Sequence, residues 1–133
     1  MNMLNRWSHG VLDYMTVGFL WMLPRALRWN RTVTNTLTGA ALGTLLYSML
    51  TRYELGLIPR LPFRTHLTLD TLNGLFFCAS PILFRNHHKT VQAAMVGIGM
   101  FELAAVMATE DEPEAEQFTF EPYEGALREY SPI

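Results

Sequence analysis

The chain is 133 residues long, half hydrophobic and 17% charged, with a formal net charge of −2 and a single cysteine. A charged fraction below the ~25% of a typical soluble domain leans toward a membrane environment. The ten Lys and Arg are scattered singly at segment ends, which argues against a nucleic-acid partner, and the lone Cys78 excludes an internal disulfide or a cysteine-based zinc site.

In chain order, Met1 to Trp7 is short and polar, and no small-residue cleavage site follows the first apolar stretch, so that stretch is expected to stay in the mature protein. Segment one runs from about Trp7 to Leu23, segment two from Val33 to Leu50, segment three from His66 to Phe84 and segment four from Val91 to Ala108. Each is about 17 to 19 residues, and about 17 is the shortest apolar helix that crosses a ~30 Å bilayer core. Segment two has no charged stripe, only Thr, Asn and Ser as polar residues, whereas a soluble bundle helix carries a charged face. The loops at 24–32 and 84–90 hold Arg25, Arg28, Trp29, Arg31, Arg85, His87, His88 and Lys89, a headgroup-layer composition. The middle connection, Arg52 to Arg64, alternates apolar residues with arginines and is expected to lie along the interface. The basic residues near the membrane divide almost evenly between the two sides, so they do not set an orientation.

Segments one and three are copies at an offset of 57 residues: His66 falls on His9, Asp70 on Asp13, Phe76 on Phe19, Pro81 on Pro24 and Arg85 on Arg28. The expected fold is therefore all-α, a four-transmembrane-helix bundle made of two tandem helical hairpins with pseudo-two-fold symmetry. Residues 1–108 form the bundle, with repeat one at about 7–56 and repeat two at about 64–108. Residues 109–133 form an acidic tail with Phe118, Phe120, Tyr123 and Tyr130, which suits docking to a partner.

Histidine and aspartate four apart share one helix face, and lipid-facing Asp or His is costly, so both pairs should face the interior. His9, Asp13, His66 and Asp70 then converge, with Tyr47 and Glu102 at similar depth. The bland reading of this layer is a reciprocal hydrogen-bonded clamp. The sharper readings are ligation of a haem, pigment or metal by His9 and His66, with no particular metal indicated, or a proton relay. Gly39 and Gly43 form a Gly-x-x-x-Gly, and Gly97 with Gly99 makes segment four slim, so these four glycines are read as close helix packing. Cys-x-x-Cys, phosphate-loop and Ser-His-Asp signatures are absent from the sequence.

These features resemble the SPW-repeat family of small integral membrane proteins, in which a Ser-Pro-Trp motif lies in the first of two transmembrane helices per repeat. The second copy here has Ala79-Ser80-Pro81-Ile82 and the first has Leu23-Pro24-Arg25, within a match over about residues 8 to 108. The resemblance implies a multi-pass location in a bacterial inner or plasma membrane and brings no established activity. The function expected is non-enzymatic: an accessory or scaffold subunit of a larger membrane complex, respiratory or photosynthetic, with the lipid bilayer and other membrane subunits as partners and no cofactor. The alternative is a membrane protein that binds or transports a cofactor, metal or proton through its His/Asp/Glu layer.

Overall fold

The computed structural model describes residues 3–110, so the acidic aromatic tail beyond lies outside the described residues. Four α-helices account for most of them: α1 (Arg6–Ala26), α2 (Arg31–Leu50), α3 (Phe63–Leu83) and α4 (Lys89–Met107). Each start has a local cause. The Asn5 side chain accepts the Ser8 N–H at 2.8 Å, the Asn30 side chain accepts the Val33 N–H at 3.0 Å, and His88 occupies the corresponding N-cap of α4, so the first orphan N–H groups of these helices are partly satisfied. Pro62 is the N-cap of α3, which starts at Phe63, three residues before the expected start at His66, and its fixed φ suits a helix entry.

Helix α1 packs along α2 and α3 along α4, giving the two hairpins the repeat predicts. The repeat has two registers. Positions in α1 and α3 match at 57, but the N-caps Asn30 and His88 and the buried pairs Val33/Val91, Leu37/Met95, Ala41/Gly99 and Thr44/Glu102 are 58 apart. One extra residue therefore lies in the second hairpin's turn. There the Gln92 amide donates to the Phe84 and His87 carbonyls, both at 3.0 Å, whereas the matching Thr34 hydroxyl donates to the Trp29 carbonyl at 3.2 Å.

Backbone bonds close the bundle at the histidine end, and they do so twice in the same way. Leu4 N–H donates to the Ala108 carbonyl at 2.9 Å and Glu110 N–H to the Leu4 carbonyl at 3.0 Å; in the other half Leu61 N–H donates to Leu50 at 2.7 Å and Arg52 N–H to Leu61 at 2.9 Å. The start of each hairpin is thus tied to the end of the other. The helical domain consequently runs through Glu110, past the boundary at 108 read from sequence.

The interior has two apolar zones. Leu20, Val33, Leu37, Phe77, Phe84, Met95 and their neighbours fill the half toward the hairpin turns. Tyr53, Phe63 and Leu67 form a smaller cluster at the other end, and the polar residues lie between. Large apolar side chains also cover the outside: Met22 is 67% exposed, Leu46 61%, Ile82 78% and Met100 62%. Only α4 among the described helices is long and apolar enough by itself to cross a membrane, with a mean hydropathy of 1.6; the polar stripes of the others lower theirs.

In the middle connection Leu57 and Ile58 are exposed, while Tyr53 and the preceding Thr51 fold inward over the helix ends. One sequence expectation is corrected. Of the four glycines read as packing residues, Gly39, Gly43 and Gly97 are exposed, and a Cβ added at any of them meets nothing within 4 Å. Gly99 alone packs closely. Its partner is Gly74 of α3, which sequence reading passed over: a Cβ on Gly99 would lie 2.5 Å from the Gly74 carbonyl oxygen and 2.7 Å from the Cys78 backbone nitrogen. The periodicity of small residues says that a helix has a slim side, but not which slim side faces a neighbour.

Backbone cannot step aside as a side-chain end can, so Gly99→Ala should lower stability by roughly 1 to 3 kcal/mol. Gly39→Ala, exposed in a helix interior, should be neutral or gain up to about 1 kcal/mol. Thermal unfolding of the purified proteins checks the contrast, and equal loss at both positions would refute it.

Candidate metal centre

Histidine, aspartate and the four-residue step bring the site together. His9 and Asp13 stand one turn apart on α1, and His66 and Asp70 on α3. The two-fold arrangement turns these faces toward each other, and all four residues are buried. His9 Nε2 lies 2.9 Å from Asp70 Oδ2 and 3.4 Å from Asp13 Oδ1. His66 Nε2 lies 3.0 Å from Asp13 Oδ2 and 3.1 Å from Asp70 Oδ2. Each residue can offer one ligand atom such that all four lie within 4.8 Å of one another.

The opposite edge of each imidazole is held by a threonine that the sequence did not single out. His9 Nδ1 is 2.7 Å from Thr109 Oγ1, and His66 Nδ1 is 2.8 Å from Thr51 Oγ1. Both hydroxyls are committed as donors, each at 2.6 Å to the carbonyl four residues back, Ala105 and Tyr47. A hydroxyl has one hydrogen. With that hydrogen spent, each threonine oxygen accepts, so each Nδ1 carries a proton and each Nε2 is turned to the carboxylates. The hydrogen-bond chain fixes the proton on Nδ1 and leaves Nε2 to meet the carboxylates through a proton or a cation.

His66 Nε2 also has no hydrogen-bond partner despite two carboxylate oxygens at 3.0 and 3.1 Å, because neither lies along the direction of an N–H there. A buried polar atom left in this way calls for an explanation. An ion supplies one. Ligand atoms about 2.0 to 2.2 Å from a common centre stand about 3.0 Å apart at right angles and about 3.4 Å apart in a tetrahedron; the Nε2-to-oxygen distances here fall in that range and also in that of hydrogen bonds. Two neutral imidazoles and two carboxylates also leave a charge of −2, which one divalent cation or a proton on each imidazole balances.

Around the quartet, Tyr47 donates to Asp70 Oδ1 at 2.5 Å and Tyr53 to Asp13 Oδ2 at 3.1 Å. Burial first and then the Asp13 carboxylate push the Tyr53 phenol up, so it remains a donor. These tyrosines break the two-fold symmetry: both come from the first repeat, and the α4 residue 58 positions beyond Tyr47 is Ala105. Phe63 stacks on His66 at 5.8 Å between ring centroids, and Arg6 lies over Phe63 at 5.0 Å.

Of the sequence candidates, His9, Asp13, His66 and Asp70 form the centre, and Tyr47 is bonded to it. Glu102 is near but separate, its two carboxylate oxygens accepting from Asn73 Nδ2 at 3.0 and 3.1 Å. Gly39, Gly43, Gly97 and Gly99 take no part. A haem or pigment does not fit: the His9 and His66 rings are 5.4 Å apart at 74°, and the cavity beside them is about 20 Å³, room for about one water. Thr51, Thr109 and Tyr53 are the functional residues missed. Their signal was the sequence position just past the ends of segments two and four, legible only once those ends are known to meet the histidines. In comparisons with known proteins, no family model, curated protein or solved structure matches the chain, so the reading of this centre rests on its geometry.

Asp13→Ala and Asp70→Ala should each strand buried donors, at a cost of roughly 1 to 3 kcal/mol. Because both carboxylates face both histidines, the double variant should depart from the sum by at least ~0.5 kcal/mol. Simple additivity in a denaturation cycle would show that the two halves are independent.

Proposed function

We propose that the chain is a multi-pass integral membrane protein whose bundle holds one divalent transition metal ion, of the zinc class, between His9, Asp13, His66 and Asp70. Imidazole and carboxylate ligands suit zinc and its neighbours better than copper(I), which prefers thiolate. The observation that carries the reading is the pair of committed threonine hydroxyls. Each Thr accepts from the Nδ1–H of its histidine and so turns Nε2 toward the carboxylates, as partners of metal-bound histidines do. The ion would neutralise the two carboxylates, and the role is binding rather than catalysis.

Membrane location draws support from the distribution of polarity. The carboxylates and imidazoles of α1 and α3 are inside, the arginines Arg25 and Arg64 stand at helix ends, and Met, Leu, Ile and Phe side chains are exposed along the helices, the arrangement a lipid solvent favours. That exposed apolar surface also supports a second, compatible reading as a non-enzymatic accessory subunit packed among other membrane proteins.

Protein stripped with chelator and then given zinc should bind one ion per chain. At a zinc concentration ~100 times Kd it should gain about 2.7 kcal/mol of stability. His9→Ala and His66→Ala should lose both effects, and Thr51→Val or Thr109→Val should weaken affinity about 10 to 100-fold. Metal analysis showing no zinc in folded wild-type protein at that concentration would refute the centre.

Location is checked separately by labelling introduced cysteines in intact vesicles in the Cys78→Ala background. Arg28→Cys and Arg85→Cys, in the two hairpin turns, should react from one face and Ile58→Cys from the other. Reaction of all three from one face would rule out four crossings.

A further inference from the structure

The four helices do not close evenly. Between α1 and α4 lies a cleft of about 610 Å³, lined by Leu12, Met15, Thr16, Phe19 and Leu23 on one side and by Ala94, Gly97, Ile98 and Phe101 on the other. Leu12, Thr16 and Phe101 also line the 20 Å³ cavity that contains His9, Asp13, Thr44, Asp70 and Glu102. An apolar trough thus adjoins a small acidic chamber, with Leu12, Thr16 and Phe101 between them. The symmetry-related seam between α2 and α3 is in contact, so the opening is not imposed by the repeat. At the position of Phe101, 58 residues earlier, stands Gly43.

The two ends of this space ask for different chemistry. Along α1 from Leu12 to Leu23 the trough is about 16 Å long at ~1.5 Å per residue, which suits an extended chain of about a dozen carbons. The chamber holds about one water-sized group. Its walls present the carboxylates of Asp13, Asp70 and Glu102, so it is rich in acceptors. Thr16 adds a hydroxyl that forms no hydrogen bond with the described residues, although Thr36, Thr68 and Thr71 each donate to the carbonyl four residues back. A head that enters must donate a hydrogen bond, carry no negative charge and be small. The chamber also lies toward the N-terminal end of α1 and the trough runs toward its other end, so a bound chain would point into the bilayer from a head near its face.

We propose that this cleft is a lateral binding site for a single-chain lipid alcohol, with its hydroxyl in the chamber beside Thr16 and Glu102 and its chain between α1 and α4. The chamber shares His9, Asp13 and Asp70 with the quartet, so the labelling is done on chelator-stripped protein, where failure to bind lipid and failure to bind an ion are read separately.

Photoactivatable analogues of dodecanol and of dodecanoic acid, each with a tail diazirine, would be offered to the full chain in phosphatidylcholine nanodiscs at neutral pH. Dodecanol analogue should label residues 12–23 and 94–101 several-fold more than the acid, and an excess of plain dodecanol should suppress that label. Gly97→Leu should reduce labelling several-fold without unfolding the protein, because a Cβ there meets nothing within 4 Å, while Gly39→Leu on α2 should not. Thr16→Val and Glu102→Gln should bring alcohol and acid toward parity. Equal labelling by alcohol and acid in the wild type would mean ordinary lipid contact only, and it would overturn the proposal, as would label resistant to competition or unchanged in folded Gly97→Leu.

Discussion

Four ionisable side chains buried at one point are tolerable only if every one of them is answered by another. An uncompensated charge in such a place costs several kcal/mol, so the His9, Asp13, His66 and Asp70 quartet constrains everything near it. The threonines at the ends of α2 and α4 must reach the outer edges of the imidazoles, which requires the start of each hairpin to be tied to the end of the other. The middle connection must fold inward so that Tyr53 can donate to Asp13. Even the backbone closures at Leu4 and Leu61 serve this end, since they seat Thr109 and Thr51 beside their histidines.

Duplication gives the centre its symmetry, and departures from duplication give it direction. The histidines, aspartates and threonines are paired across the two-fold, and a pair of equivalent ligand sets is an economical way to surround one ion. The tyrosines are not paired, nor are Thr44 and Glu102, which share a register position but differ in charge. The single residue added in the second hairpin turn displaces α4 by one position relative to sequence numbering. Phe101 corresponds in that register to Gly43 on α2, and the α1–α4 flank is open while the α2–α3 flank is in contact.

Polar groups and apolar groups share the interior of this bundle. Here the interior at the helix ends carries imidazoles, carboxylates and hydroxyls, and the outer faces carry Met, Leu and Phe. Mean hydropathy per helix blurs that distinction. Helices α1, α2 and α3 spend several positions on the interior polar stripe, so α4 alone reads as a spanning helix by composition.

The sequence by itself determined the helical hairpins and the convergence of the histidines. Helix length follows from unbroken apolar runs between capping residues, and the His-x-x-x-Asp step puts both groups on one face whatever the partner. An exact offset of 57 for the first helices also required the two faces to be related. Tertiary structure alone decided the rest. Gly39, Gly43 and Gly99 look alike in sequence, yet only Gly99 meets a backbone, because rotation of a helix about its axis is set by its neighbours. Thr51 and Thr109 are ordinary residues after a helix until chain closure places them against His66 and His9, at sequence separations of 15 and 100. Those distances along the chain are what local pattern cannot cross: periodicity reports which side of a helix is alike, and only packing reports what that side touches.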